Sequence, residues 1–264
     1  MPDHPIFCVV SNARSGSTAL RSVLAASGLI KDFGEIFHDD RSLTLYSFQS
    51  FLERWPDPLF AILDWDACVK IANAYLEQVS FESYGLKTLI DIKHNAWGVL
   101  KPLWQFPHDE PLFMTALKAR RTLFLQLKRD SLADQVISYI IANNTNVWHA
   151  QITEADLPAR LVGKRLDPAR VRRLCGLFLR AELLIEELLA GYPHRLRLSY
   201  ETTFAQGVLT AKAAECLSDA LGVAIRPIAP LQRPNEVDKR AVISNYDEVA
   251  EIATAVRAAQ STGS

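Results

Sequence analysis

Short apolar runs alternate along this chain with longer stretches of helical periodicity, and that alternation predicts a parallel sheet covered by helices. Ile6 to Val10 is a continuous apolar run of strand length, and from Ser17 to Ser27 the apolar residues fall at helical spacing. A short strand is expected within Tyr84 to Ile92. A clearer one covers Thr122 to Leu127 and is followed by a helix from Ser131 to about Asn143. Arg195 to Ser199 alternates as a further strand. Thr210 to Leu221 reads as a helix that Gly222 ends, because glycine takes the left-handed C-cap position without steric cost. Such an order implies right-handed crossovers and a ligand site beyond the carboxyl ends of the strands.

Two regions read as additions to the sheet. Ser42 to Val79 carries Trp, Phe and Leu at helical spacing with Pro56 and Pro58 between, which predicts a helical insertion of two helices that either pack over the core or form a substrate lid. Asp167 to Ala190 is expected to be a long amphipathic helix burying Leu174, Phe178, Ile185 and Leu188. The tail from Ala253 to Ser264 drifts into Ala, Gln, Ser and Gly and is expected to fray.

Composition narrows the function classes. With 264 residues and 49% apolar content, the chain can bury a sizeable core as a single domain over residues 1–264. A net charge of −1 argues against general nucleic-acid binding, which a basic excess usually accompanies, while local basic clusters can still hold an anionic small molecule. Cys8, Cys68, Cys175 and Cys216 are widely separated without C-x-x-C spacing, so they read as reduced core residues and not as a zinc site or disulfide frame. The opening Met-Pro-Asp-His runs directly into the first strand without a basic start and apolar h-region, and no run is long enough to span a bilayer. A cytoplasmic protein with no integral membrane segment is therefore expected.

The chemistry begins where the first strand ends. Ser11-Asn12-Ala13-Arg14-Ser15-Gly16-Ser17-Thr18 is a small, hydroxyl-rich turn that opens an apolar helix. A helix start leaves N–H groups unpaired and carries partial positive charge, so the backbone around Gly16 can wrap a phosphate. Arg14 and the hydroxyls of Ser15, Ser17 and Thr18 would add charge and hydrogen bonds. Aligning Gly16 with the second glycine of the nucleotide-binding loop G-x-x-x-x-G-K-[ST] puts Ser11 at the first glycine and Ser17 at the lysine, so that pattern is broken. A kinase needs that lysine on the β- and γ-phosphates and a hydroxyl on magnesium. What remains suits a single phosphate-like group.

A second cluster follows the strand ending at Leu127. Lys128 and Arg129 close the strand, Asp130 or Ser131 caps the next helix, and Gln135 and Ser138 share one helical face. Arg129 offers a planar fork and Ser138 a hydroxyl to a second phosphate.

Together these clusters resemble the PAPS-dependent sulfotransferases, PAPS being 3′-phosphoadenosine 5′-phosphosulfate. The likeness is to the bacterial carbohydrate branch that includes trehalose and nodulation-factor sulfotransferases. Further agreement lies in Gly34-Glu35-Ile36-Phe37-His38, similar to the branch's G-E-x-F, and in Gly85-Leu86-Lys87, similar to its G-x-K strand. Ser199-Tyr200-Glu201-Thr202 resembles the Y-E-x-L after the last core strand, and Asn245-Tyr246-Asp247-Glu248 the N-Y-x-E start of a C-terminal helix. The resemblance implies a P-loop-like three-layer α/β sandwich with a central mostly parallel sheet flanked by helices. It also implies PAPS as co-substrate with PAP as product, the R-S-G-S loop on the 5′-phosphosulfate and Arg129 with Ser138 on the 3′-phosphate. One departure is that Arg129 and Ser138 are nine apart, one more than is usual in the family, so Ser131 is an alternative holder of that phosphate.

Sulfuryl transfer moves a neutral SO3-like group in line to an acceptor hydroxyl, and the resemblance implies that Arg14 and the loop take up the leaving-group charge without a metal. Glu35 is the first candidate for the base and His38 the second, the latter for its near-neutral pKa. Lys87, Lys93 and His94 form a weaker polar cluster, of which Lys87 and His94, with Trp148, are assigned to the acceptor. Trp55, Trp65, Trp97, Trp104 and Trp148 can stack on sugar rings or fill the core, burial being the commoner fate of such residues. A loop over residues 231–240 is expected to close on the nucleotide, with Arg233, Lys239 or Arg240 reaching the 3′-phosphate. The expected partner is a small acceptor with a hydroxyl, carbohydrate or glycolipid, with a homodimer as the assembly the branch suggests. A nucleotide-dependent kinase and a catalytically silent nucleotide-binding relative are the alternative functions.

Overall fold

A computed structural model describes residues 6–37, 46–55, 65–94, 112–147, 157, 161–229 and 238–261. Five strands, β1 (Ile6–Asn12), β2 (Ile30–Glu35), β3 (Lys87–His94), β4 (Leu123–Lys128) and β5 (Arg195–Ser199), form one sheet in the order β2-β3-β1-β4-β5. Every neighbouring pair is parallel, so all carboxyl ends lie along one edge. The α/β architecture with a mostly parallel sheet is thus the one expected. All seven residues of β1 are buried, as its central place between covered faces requires.

The helices sort by the face they cover. Helices α1 (Ser17–Ala25), α2 (Phe48–Leu52), α3 (Trp65–Glu82), α4 (Leu112–Ala119), α5 (Leu132–Thr145) and α6 (Pro168–Leu188) precede β5. After it come a short α7 (Tyr200–Thr203), a hairpin of β6 (Phe204–Ala205) and β7 (Val208–Leu209), α8 (Ala211–Leu221), α9 (Lys239–Val242) and α10 (Tyr246–Ser261). Ile6, Cys8 and Val10 of β1 pack with residues of α2, α3 and α4, whereas Phe7 and Val9 pack with α1 and α8. Period-two alternation along one strand therefore feeds two cores. A third core lies between α5, α6 and α10. Among the described residues no helix is long and apolar enough to cross a membrane.

The described parts of the 42–79 region are α2 and α3, which pack over the core, the first of the two roles expected, with Phe48, Phe51 and Tyr75 buried in one cluster with Phe113. Other expectations change. The C-terminal tail does not fray at Ala253. The helix α10 continues to Ser261 and buries Val249, Ile252 and Ala253 against α5 and α6, its many alanines being strong helix formers. Cys216 is exposed on α8, not a core residue. On α6 the buried stripe runs through Leu174, Phe178 and Ile185, with Leu188 half-buried and Leu189 buried in its place.

Candidate active site

At the carboxyl edge of β1 the chain turns sharply. Asn12 holds the turn from both sides: its Nδ2 donates to the Phe178 carbonyl (3.0 Å) and its Oδ1 accepts from the Ala13 N–H (2.8 Å). Ser15 Oγ donates back to the Asn12 carbonyl (2.7 Å). Arg14 and Gly16 both adopt positive φ, 62° and 93°, on either side of Ser15, and Gly16 is the N-cap of α1. This left-handed pair points the first N–H groups of α1 into the turn, the geometry that binds anions.

Gly16 is required for a second reason. A Cβ placed on it would lie 2.3 Å from Cδ2 of Tyr200, whose ring covers the turn. Gly16→Ala is expected to cost roughly 2–4 kcal/mol through positive-φ strain and the ring clash together. Thermal melting checks this, and Gly16→Ala combined with Tyr200→Ala should recover part of the loss.

Helix α5 clamps the turn from beneath. Its Gln135 Nε2 donates to the Ala13 carbonyl (2.7 Å), and Ser138 Oγ accepts from Arg14 Nε (3.0 Å). The face shared by residues three apart is the one anticipated, but both side chains hold the loop itself. Ser131 is the N-cap, its Oγ accepting from the Asp134 N–H (3.2 Å). Glu201 reinforces that helix start by accepting from the N–H groups of Asp130 (2.8 Å) and Ser131 (3.2 Å).

Arg129 lies between loop and helix. Its Nη1 donates to the Arg14 carbonyl (3.3 Å), its guanidinium stacks 4.9 Å from the centre of the Tyr200 ring, and its Nε is 3.7 Å from the Glu201 carboxylate. That Nε is buried without a hydrogen-bond partner among the described residues. Lys239, on α9, reaches the same region and pairs with Asp134 at 3.4 Å, whose carboxylate also accepts from the Tyr246 hydroxyl (3.1 Å). Burial and the neighbouring Arg129 charge lower Arg14 to about 10 and push Lys239 below its ordinary value. Arg240 is directed elsewhere: it is exposed, paired with Asp247 at 2.6 Å and stacked on Tyr246, so of the two basic residues on α9 only Lys239 belongs to the cluster.

The other wall of the site is the β2–β3 edge. Asp32 pairs in register with Leu89 and Glu35 with Asp91, so β2 fits one extra residue into this interval. Gly34, at φ 80°, takes up this bulge, and its N–H donates to Asp32 Oδ1 (2.9 Å). Without the bulge, residues 32 and 35 would face opposite sides of the sheet. With it, both turn toward α1, where Arg21 binds Asp32 at 3.0 Å and Asp91 at 3.2 Å. Glu35 forms an ion pair with Lys93, and its charge acts on Arg14. The candidate base and the loop arginine therefore share one electrostatic environment.

Lys87 does not belong to this site. It opens β3, and the length of that strand at about 3.3 Å per residue puts it roughly 20 Å from the edge where the loop lies. His94 ends β3 opposite Asn12, at the correct edge, although its side chain is outside the described part. His38, Trp148 and Arg233, with the rest of the loop up to residue 237, lie outside the described residues. Arg21, Asp91, Tyr200 and Glu201 join the site without having been singled out as functional. Arg21 does stand one helical turn after Ser17, and Asp91 is a carboxylate inside an apolar strand, both readable signals of a polar contact under the loop.

A family model described as Stf0 sulphotransferase matches residues 6–169, more than half of the chain. No curated protein matches it. Among solved structures, mouse sulfotransferase SULT7A1 complexed with PAP is similar over 97% of this chain, at 14% identity and a TM-score of 0.44. The match covers 65% of that longer chain.

Proposed function

Because this chain belongs to the Stf0 sulphotransferase family, we propose that it transfers a sulfuryl group from PAPS to a hydroxyl of a small acceptor, a carbohydrate or glycolipid, without a metal. The observation that carries the reading is the convergence of Arg14, in the loop before α1, with Arg129 and Lys239 near the start of α5, where Arg14 and Lys239 are held below their ordinary pKa by burial and by Arg129. Such crowding is unfavourable alone and is relieved by a bound anion. The buried Nε of Arg129, lacking a hydrogen-bond partner among the described residues, fits a phosphate oxygen.

When bound, PAPS supplies the sulfuryl group and a phosphate leaving group. The N–H groups at the start of α1, with Arg14, Ser15, Gly16, Ser17 and Thr18, would hold the 5′-phosphosulfate and take up the charge that grows on the bridging oxygen. Arg129 and Lys239 would hold the 3′-phosphate, with Ser131 or Ser138 as the hydroxyl partner. Ser138 accepts from Arg14 through its oxygen, which leaves its O–H to donate to a phosphate. Glu35 would accept the proton of the attacking hydroxyl, with Lys93 keeping its carboxylate ionised and oriented.

Radiolabelled sulfate transfer from PAPS to a panel of mono- and disaccharides, in buffer containing EDTA, tests the proposal. Label on a sugar is expected, and ATP-dependent phosphorylation of the same panel with no sulfate transfer would overturn it. The two basic residues of α9 separate in the same framework. Lys239→Ala should weaken PAP binding roughly tenfold, the worth of a partly buried charged contact, whereas Arg240→Ala should change it less than about twofold, as an exposed ion pair does. Calorimetric titration of both variants with PAP reads the difference.

A further inference from the structure

Asp91 is an acidic side chain of this region that the proposed reaction leaves without a task, and it is fully buried in the middle of the sheet. Its position is closely determined. In the parallel register it lies beside Val9 of β1 and Glu35 of β2, and Lys93 follows two residues later on the same face of β3. From α1, Arg21 binds it at 3.2 Å while holding Asp32 at 3.0 Å, and Ser17 at the start of that helix also favours its ionised form. Lys93 pairs with Glu35 and also acts on Asp91, which gives one ammonium two carboxylates to serve.

We propose that Asp91 is a positioning residue that raises the proton affinity of Glu35 by competing with it for Lys93 and by facing it with like charge. The proposal rests on the reading of Glu35 as the base. The charged and titratable groups around Asp91 are Arg21 on α1, Asp32 and Glu35 on β2, Lys93 on β3 and the Cys8 thiol on β1, and Arg14 reaches Glu35 from the loop. Of these, Lys93 and Arg21 favour the ionised form of Asp91, and burial opposes it, pushing the carboxyl up to about 6. Above that pH Asp91 is charged, and Glu35 then shares its counter-ion. A carboxylate paired exclusively with Lys93 would be a weak base. One that shares its ammonium holds a proton more tightly and is better matched to a hydroxyl proton near neutral pH. As Glu35 accepts that proton and its hold on Lys93 weakens, Asp91 retains the ammonium at the sheet edge.

The test reads Glu35 directly. Full-length protein carrying isotope-labelled glutamate is titrated by NMR as wild type, Asp91→Asn and Lys93→Met, with the Glu35 carboxyl resonance assigned by its loss in Glu35→Gln. In Asp91→Asn the Glu35 midpoint is expected to fall by about one pH unit, because a like charge is removed and Lys93 is freed. In Lys93→Met it should rise, and in the double variant it should return toward the wild-type value. A purely structural role for Asp91 would leave the midpoint in place, and an unmoved or raised midpoint in Asp91→Asn overturns the proposal. If Asp91→Asn does not fold, a midpoint that fails to rise in Lys93→Met overturns it equally. Wild-type rates of sulfate transfer from PAPS by Glu35→Gln would instead overturn the reading of Glu35 as base, a result distinguishable from either titration outcome.

Discussion

Arg129→Ala is expected to lower PAP affinity by two to three orders of magnitude while the protein stays folded. Arg129 supplies a fork whose Nε has no other hydrogen-bond partner among the described residues, and a hydrogen bond to a charged group is worth about 1.5–3 kcal/mol. Two such bonds to one phosphate give roughly 3–5 kcal/mol, or a few hundredfold to a few thousandfold in affinity. The residue also ties the turn together through the Arg14 carbonyl and stacks on the Tyr200 ring that covers Gly16, so its loss loosens the donor loop as well. One effect acts in the other direction: Arg14 loses a repelling neighbour and becomes a better cation. That relief is smaller than the loss of a direct phosphate ligand. Arg129→Lys keeps the charge but neither the planar fork nor the stacking, and should recover only part of the affinity. Calorimetric titration with PAP checks both variants.

Glu35→Gln should leave PAP binding within about threefold of wild type and lower the rate of sulfuryl transfer by roughly 10²–10⁴, the usual worth of a general base. The separation follows from position. Glu35 lies on the β2 edge, paired with Lys93, while Arg129 and Lys239 lie near the start of α5, on the other side of the loop. Glutamine preserves the shape and can still accept a hydrogen bond from Lys93, but it cannot take a proton. Rates measured at saturating PAPS with an accepting sugar read the chemical step, and calorimetry with PAP reads the binding.

The parts of this fold that are legible in the sequence are those whose causes are local. The run from Ile6 to Val10 can be little else than a buried strand. The small residues after it announce a turn, and Gly16 falls where both the left-handed conformation and the Tyr200 ring demand no side chain. Helix α5 is equally readable, since Ser131 caps it and Gln135 and Ser138 share a face. β2 is not. Only Ile30 and Phe33 of its six residues are buried, as befits an edge strand, and its bulge breaks the alternation that reveals strands. The Arg21, Asp32 and Asp91 cluster is assembled across three elements, so no local pattern carries it. Lys87 was assignable in principle: where every strand runs the same way, a residue that opens a strand lies at the edge opposite the site. The persistence of α10 beyond Ala253 depends on apolar positions that pack on α5 and α6, a tertiary effect that a drift toward small residues conceals.

The most direct test of the central claim is calorimetric titration of the unmodified protein with PAP in EDTA, set against ATP with magnesium. Tight, metal-independent PAP binding with little or no heat from ATP is the result expected from a loop in which Ser17 stands at the phosphate-binding lysine position and three cations gather beside it. Strong magnesium-dependent ATP binding with no response to PAP would contradict the account and make the protein a nucleotide-dependent kinase.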